Sequence, residues 1–502
     1  MLRKLLIANR GEIAVRVIRA ARALGVPTVA VFSEADRDAL HVRAADEALC
    51  IGPAEARRSY LDTDRILDAA RESGADSVHP GYGFLSQDPD FADAVVAAGL
   101  VFVGPSGDCM RVMGQKIAAR RAMTAAGVPV VPGSLDPVAD AAAAAREAAR
   151  TGYPVMLKAS GGGGGKGIRL VRSAEEMPSA FGRASSEALS AFGRCEVYLE
   201  KAVIDPRHIE VQVLADSRGN TLAVGERECS VQRRHQKLVE ECPANRLSAA
   251  TRRGLAEAAV RAAAAVGYLG AGTVEFLVDA AEGFHFLVMN TRIQVEHPVT
   301  EEVHGVDLVR EQIRVAAGEA ISFAGRPPVP RGHAVECRVC AEDPEDGFLP
   351  STGVVRHMEI PAGPGIRFDA GVHEGMEVSI HYDPLLGKLI AWGPDRGTAL
   401  ARMRTALDEF VLAGVRTTVP FLRRLMDLPE FAEGVYDTSI LEGPGRRLLD
   451  PAPPGDGDLV AAVAAVLHRR ASRSAPPAPA GDGLSPWVLA GRRAFPNGDF
   501  PR

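Results

Sequence analysis

Short apolar runs alternate with amphipathic stretches over the first 113 residues. The runs at 5–8, 28–32, 77–79 and 101–103 are rich in Val, Ile, Leu and Phe and predict strands buried on both faces. Between them, residues 12–23, 63–73 and 90–97 repeat apolar positions at helical spacing. Strand–helix alternation of this kind predicts a doubly wound parallel α/β layout, with ligand-binding turns at the strands' carboxyl ends. A second region, 114–330, predicts an alanine-rich helix at 139–149 and a strand at 208–214, followed by the segments 226–237 and 272–277. A third, 331–445, holds the segment 332–338 and predicts strands at 375–380 and 388–392 and a helix over 395–411. Beyond 446 the composition turns to Pro, Ala and Gly around one short helix at 459–468, the pattern of a mobile tail. No internal repeat is present.

Five glycines, Gly161 to Gly165, interrupt this pattern between Lys158 and Lys166, with β-like runs on either side. Glycine loses the most entropy on ordering, so such a run makes a poor structural turn. It suits a flap whose backbone N–H groups close on an anion, and the flanking lysines suit polyphosphate. It lacks the spacing of a P-loop. Only seven of the 58 basic residues are lysine. Lys116, Lys158, Lys166, Lys201 and Lys237 stand in motif-like stretches that call for a compact ammonium ion. Lys4 and Lys388 read as chance survivors of an arginine-rich composition.

At 502 residues, two to four domains are expected. A net charge of −6 excludes a basic nucleic-acid-binding body, and no apolar run is long enough to predict a membrane span. The start, Met1 to Arg10, reads as a first strand and not as a signal peptide. Seven scattered cysteines show no disulfide framework and fit a reducing cytoplasm. Cys337 and Cys340 have metal-like spacing but no second pair to complete a site.

The sharpest chemistry lies in Asn290-Thr-Arg292-Ile-Gln294-Val295-Glu296-His-Pro298. Asn290, Arg292, Gln294 and Glu296 alternate, and on an extended chain they share one face. Amides, a guanidinium and a carboxylate there can bind a small planar oxyanion and deprotonate it. Two more segments stand out: Arg233-Arg234-His235-Gln236-Lys237, and the tight loop His79-Pro-Gly-Tyr82-Gly83-Phe84.

Taken together with the glycine flap, these segments closely resemble the biotin carboxylases, over roughly residues 1 to 445. The His-Gln-Lys and Arg-Ile-Gln-Val-Glu-His-Pro segments are specific to that family among ATP-grasp proteins. The resemblance implies a doubly wound N-terminal domain (1–113), an ATP-grasp domain (114–330, with a mobile glycine-rich lid over about 131–203) and an α+β C-terminal domain (331–445), followed by the tail (446–502). It implies a two-step reaction: ATP phosphorylates bicarbonate to carboxyphosphate, and the carboxyl group passes to N1′ of biotin. Lys116, Lys158, Gly163, Gly164, Gly165, Lys166, Gly167, Glu200, Lys201, Val203, His208, Gln232, His235, Glu275 and Leu277 match the ATP site. Lys237, Arg292, Gln294, Val295 and Glu296 match the bicarbonate site, with Glu296 as general base. Arg338 matches the group that stabilises biotin's enolate, and Tyr82 and Gly83 the biotin-binding turn. Glu275 and Asn290 match the site for Mg²⁺ (or Mn²⁺). The implied partners are a biotin carboxyl carrier protein, a carboxyltransferase subunit and a second copy of the chain, in a cytoplasmic acyl-CoA carboxylase such as acetyl-CoA carboxylase of fatty acid synthesis.

The chain departs from the family at Val288, where a second metal-binding Glu is usual. An isopropyl group offers a hard cation no oxygen. Gln87-Asp88 replaces Glu-Asn, Cys340 stands where Asn or Tyr is common, and His381 where Pro or Tyr is frequent. No Ala-Met-Lys-Met-like attachment segment occurs, so biotin is expected on a separate carrier. Residues 485–491 faintly resemble the linker that follows this domain in larger α-subunits. Val288 also motivates an alternative reading, a catalytically silent ATP-binding scaffold subunit. A different ATP-grasp ligase is disfavoured by the family-specific segments.

Overall fold

The alternation at the start of the chain builds a five-stranded parallel sheet: β1 (Leu5–Ile7), β2 (Thr28–Ser33), β3 (Glu47–Gly52), β4 (Ser77–His79) and β5 (Val101–Phe102), in the order β3-β2-β1-β4-β5. In this computed structural model the described residues are 2–159, 168–192 and 196–450, with 461, 463, 465–467 and 469. Strand order reverses on either side of β1. The turns after β1 and β4, which carry Asn9–Gly11 and Pro80–Phe84, therefore meet at the carboxyl ends, where ligands bind in such sheets. The sequence pattern missed β3, an edge strand whose residues are mostly exposed or half-buried.

Two antiparallel sheets follow. The smaller, β7-β6-β8, is formed by β6 (Val155–Ala159), β7 (Ile168–Val171) and β8 (Val197–Lys201), and packs against the helices Ala141–Thr151 and Met177–Phe192. The larger has eight strands. Six are β9 (Arg207–Ala215), β10 (Thr221–Arg233), β11 (Gln236–Cys242), β12 (Gly270–Val278), β13 (Phe284–Asn290) and β14 (His333–Cys340), and the strands Leu385–Gly393 and Ile366–Ala370 complete it. Its order, β13-β12-β9-β10-β11-β14 and then those two, crosses the boundary near residue 330 that the sequence suggested.

Ile209, Val211 and Val213 of β9 enter an apolar core with the helix Ala249–Ala265. His208, Glu210 and Gln212 alternate with them, so this polar row faces the other way. All three are buried, which makes the row costly unless every member finds a partner.

One strand and one helix expectation need correction. Only Glu377–Val378 of residues 375–380 forms a strand. The helix after Leu385–Gly393 spans Arg396–Glu409, and Val411–Ala413 returns to strand. In the second compact unit, Pro451–Arg502, the described residues are helical; the remainder of the expected tail helix lies outside the described residues. No described helix is long and apolar enough to cross a membrane.

Candidate active site

Across the large sheet, four residues stand in register on neighbouring strands: Arg227 on β10, Glu210 on β9, Glu275 on β12 and Val288 on β13. Directly opposed residues in antiparallel strands share a face, so two carboxylates are set side by side. That pairing is tolerated because cations enter from both sides. The fully buried Arg227 donates to Glu210 Oε1 at 2.6 Å, and also to Gln212, Thr273, Gln294 and Thr300. Lys237 Nζ donates to Glu210 Oε2 at 2.6 Å, Glu275 Oε1 at 3.0 Å and Glu296 Oε1 at 2.6 Å. One ammonium thus uses all three of its protons on three carboxylates.

The hairpin that carries Lys237 explains its placement. Arg234 and His235 both have positive φ, 50° and 67°, between the paired residues Arg233 and Gln236. A two-residue turn of this kind matches the twist of the strands but normally selects Gly or Asn, so backbone strain is held beside the site. His235 itself is exposed at the turn.

Glu296 is reached differently from the sequence expectation. β13 ends at Asn290, and residues 291–296 form an irregular turn into the helix His297–His304, with Glu296 at its N-cap. Asn290, Arg292, Gln294 and Glu296 therefore do not lie along one extended face. Asn290 Nδ2 and Gln294 Nε2 still converge on Glu275 Oε1, at 2.8 and 2.9 Å, because the turn folds back over β12. Arg292 reaches both ways: its Nη2 donates to Asn290 Oδ1 at 3.4 Å, and its Nε to Gln87 Oε1 at 2.8 Å, joining the turn to the N-terminal region. Arg338 Nη2 donates to Glu296 Oε2 at 3.0 Å, and its Nε to Glu240 Oε1 at 2.6 Å.

The electrostatics follow from these contacts. Burial pushes the Glu296 carboxyl up, but Lys237, Arg338 and Arg227 outweigh it and hold Glu296 well below the usual carboxylate range. Glu275 is likewise lowered, burial being overcome by Lys237 and then His208, whose Nε2 lies 3.2 Å from Glu275 Oε2. Burial opposes the charge on Lys237, yet Glu210, Glu275 and Glu296 raise it well above the ordinary lysine value. Glu240 goes the other way: burial raises it to about 7, against Arg338 and with help from Glu296.

At the far end of the site, Lys158 pairs with Glu200, and Arg120 donates to the other Glu200 oxygen at 2.6 Å. Lys116 donates to the Ala159 carbonyl at 3.2 Å, and its affinity for a proton is lowered by burial and by Lys158. The two ammonium groups repel one another, and an anion beside them would relieve that repulsion. Lys201 is occupied instead, donating to the carbonyls of Gly152 and Tyr153 at 2.9 and 2.8 Å. Gln232 donates to the Cys229 carbonyl at 2.8 Å and lies 3.0 Å from His208 Nδ1. Val203 and Leu277 are half-buried, and Leu277 is in register with His208. Gly163, Gly164, Gly165, Lys166 and Gly167 lie outside the described residues.

Tyr82 and Gly83, with Asn9, Arg10, Glu12 and Tyr382, line a cavity of about 380 Å³. The Tyr82 hydroxyl donates to Glu12, and Gly83 takes a φ of +71° in the turn after β4. Cys337 and Cys340 are free thiols, and Cys337 is packed in an apolar core.

A hard divalent cation needs oxygen ligands. Glu275 offers a carboxylate, which accepts from Asn290 Nδ2, while the Asn290 amide oxygen faces Arg292 Nη2 at 3.4 Å and Val288 opposite Glu275 offers no oxygen. Glu210 is already engaged by Arg227 and Lys237. Glu275 is engaged as well, by Lys237, Asn290, Gln294 and His208, so a cation here would hold that carboxylate in competition with Lys237.

Sequence reasoning missed Arg227, Glu210, Glu240 and Lys388. The polar alternation His208-Ile-Glu210-Val-Gln212 inside an apolar strand was the available signal for Glu210. Lys388 is the clearest correction: it is fully buried and ion-paired, not a chance survivor.

Comparison with known proteins accounts for this arrangement. The family models "Biotin carboxylase, N-terminal domain", "Carbamoyl-phosphate synthase L chain, ATP binding domain" and "Biotin carboxylase C-terminal domain" match residues 1–110, 115–323 and 336–443. Biotin carboxylase 1 of Bacillus subtilis is 50% identical over 443 residues, 88% of this chain and 98% of that protein. The propionyl-CoA carboxylase alpha chain of Ruegeria pomeroyi is 48% identical over 491 residues, 93% of this chain and 72% of that one. The biotin carboxylase domain dimer of Hydrogenobacter thermophilus 2-oxoglutarate carboxylase, solved with MgADP, ADP and bicarbonate, superposes with a TM-score of 0.85 at 45% identity, covering 90% of this chain and all of that one.

Proposed function

We propose, from the premise that the chain belongs to the biotin carboxylase family of ATP-dependent ligases, that it carboxylates biotin borne on a separate carrier protein of an acyl-CoA carboxylase. The observation that carries this reading is Glu296 held between Lys237 and Arg338, at 2.6 and 3.0 Å. A carboxylate clamped between two cations is a base kept in reserve.

Lys237 and Arg338 suppress the basicity of Glu296 in the ligand-free site. Arriving phosphate competes for Lys237, and loosening of its contact with Glu296 raises the carboxylate toward the range useful for proton abstraction. Bicarbonate, oriented by Arg292 and Gln294, loses its proton to Glu296 as one of its oxygens attacks the γ-phosphorus of ATP. ADP leaves, and carboxyphosphate remains beside Lys237. The C–O bond of carboxyphosphate then breaks, the released phosphate takes the N1′ proton of biotin in the Tyr82–Gly83 pocket, and the freed carbon dioxide bonds to N1′ while Arg338 balances the enolate charge. Lys116 and Lys158 neutralise the nucleotide phosphates, the kind of preorganised charge that phosphoryl transfer depends on. Mg²⁺ bound with the nucleotide would be held by Glu275 and Asn290 and would add to that neutralisation. The backbone of Glu200–Val203 and the side chains of His208, Gln232, His235 and Leu277 complete the proposed nucleotide pocket.

The proposal divides the chain near residues 113, 330 and 445, makes it a cytoplasmic homodimer, and gives it a biotin carboxyl carrier protein and a carboxyltransferase as partners. The dimeric solved relative supports the dimer. The carboxyltransferase sets the acyl group, and acetyl-CoA is the acceptor to test first, with propionyl-CoA as its competitor.

Val288 favours one second reading, an ATP-binding subunit that is catalytically silent. The deciding experiment is ATP turnover with free biotin, with and without bicarbonate, over a Mg²⁺ titration. Turnover stimulated by bicarbonate and biotin supports the enzyme. ATP binding without turnover at any Mg²⁺ concentration, with co-purification of a carboxyltransferase, supports the scaffold.

A further inference from the structure

Lys388, on the strand Leu385–Gly393, is fully buried. Its Nζ donates to the Val295 carbonyl at 3.1 Å and lies 3.1 Å from Glu12 Oε2 and 4.0 Å from Asp369 Oδ2. Glu12 stands in the first turn of the helix Gly11–Ala23, and its other oxygen accepts from the Tyr82 hydroxyl. The ammonium also sits 6.0 Å from the centre of the Tyr82 ring. One buried charge therefore touches three distant parts of the chain. Through Glu12 it holds the wall of the 380 Å³ cavity, and through Val295 it holds the residue that precedes Glu296.

A buried lysine is expensive unless it is paired and hydrogen-bonded, and here each contact lies on a path between the two halves of the site. A planar guanidinium could not take the place of this compact ion. Fixing Val295 matters because residues 291–296 have no strand or helix of their own to hold them.

We infer that Lys388 is a positioning residue that couples the Tyr82 pocket to the Glu296 turn, through Glu12 on one side and the Val295 carbonyl on the other. Occupancy of the pocket is thereby transmitted to the carboxylate that serves bicarbonate. The inference rests on the proposed function for its catalytic meaning but not for its mechanical content.

The test uses Glu12→Gln, which keeps the volume and removes the charge facing Lys388, and Lys388→Met alongside it. Amide hydrogen exchange is followed in peptides covering 81–85 and 291–296. The expected result is faster exchange in both segments of Glu12→Gln, with the β9–β12 core unchanged. In turnover assays of the Val288→Glu form, Glu12→Gln should raise KM for free biotin by about 10-fold and weaken the stimulation of bicarbonate-dependent ATP hydrolysis by biotin. Unchanged exchange at 291–296 overturns the coupling, as does a loss of protection spread over the whole chain. If the Val288→Glu parent shows no bicarbonate-dependent hydrolysis, the proposed function fails and the exchange result still decides the coupling.

Discussion

Val288 stands directly opposite Glu275 across the β12–β13 pairing, half-buried and in register. The face that presents Glu275, Asn290 and Gln294 thus has an isopropyl group at a position where a second carboxylate would reach the same ligand. Converting Val288→Glu should raise kcat on the order of 10²-fold and lower the Mg²⁺ concentration needed for half-maximal rate. Steady-state ATP turnover over a Mg²⁺ titration checks this. Equal curves for both proteins would mean that Glu275 and phosphate oxygens suffice.

Among the described residues, Glu296 is the carboxylate that accepts hydrogen bonds from both Lys237 and Arg338. Glu296→Gln should keep the shape and lose the base, cutting bicarbonate-dependent turnover by roughly 10²- to 10⁴-fold while nucleotide affinity stays near that of the parent. Paired rate and nucleotide-binding measurements separate the two effects. A variant that retains most of its rate would remove Glu296 from the mechanism.

Glu241 secures the sheet one residue beyond Glu240. It accepts from Arg396 Nε and Nη2 at 2.7 and 2.9 Å and from the Tyr436 hydroxyl at 2.6 Å, and lies 2.7 Å from His333 Nε2. Burial works against its charge, but His333 and Arg396 bring it down to about 2. Its stabilising contribution is therefore complete above its ordinary value of 4.5 and fades as pH falls toward 2. Glu241→Gln should cost roughly 3–5 kcal/mol at neutral pH, as loss of one buried charge leaves the others uncompensated. Denaturant unfolding should show that deficit shrinking in acid.

Glu240 and Glu336 lie in register on β11 and β14, and both are fully buried. Burial raises Glu336 well above the ordinary range; Lys388 opposes that and Glu240 adds to it. With Glu240 at about 7, the folded chain keeps a proton that the unfolded chain has lost between pH 4.5 and 7. Stability must then fall as pH rises through that window. Glu240→Gln should lessen this slope, leaving the part that Glu336 contributes, so the variant gains on the parent by up to roughly 3 kcal/mol across it. Urea melts at pH 5 and pH 7 test the sign. A parent that gains on the variant instead would show Glu240 ionised throughout.

Elements governed by local pattern were legible. The strand Ser77–His79 and the helix Thr63–Ser73 match their expected bounds, because short buried runs and 3.6-residue spacing are properties of the chain itself. The edge strand β3 was not legible, since half-exposed residues carry no such pattern. The expected single face from Asn290 to Glu296 failed for a related reason: alternation of polar residues describes a strand only where the backbone stays extended, and here it turns into a helix.

The sequence by itself determined the chemistry available and the family: lysines around a glycine run, the His-Gln-Lys and Arg-Ile-Gln-Val-Glu-His-Pro segments, and valine at 288. These are matters of residue type and spacing, which one dimension records. Only the tertiary structure decided who touches whom. It set Glu210 between Arg227 and Glu275 through strand register, brought Lys237 to three carboxylates through a strained turn, and drew Lys388 under both Tyr82 and Val295. Each of those groups is separated in sequence from its partners by many residues. Their charges become strong or weak only once burial removes water and register fixes distance.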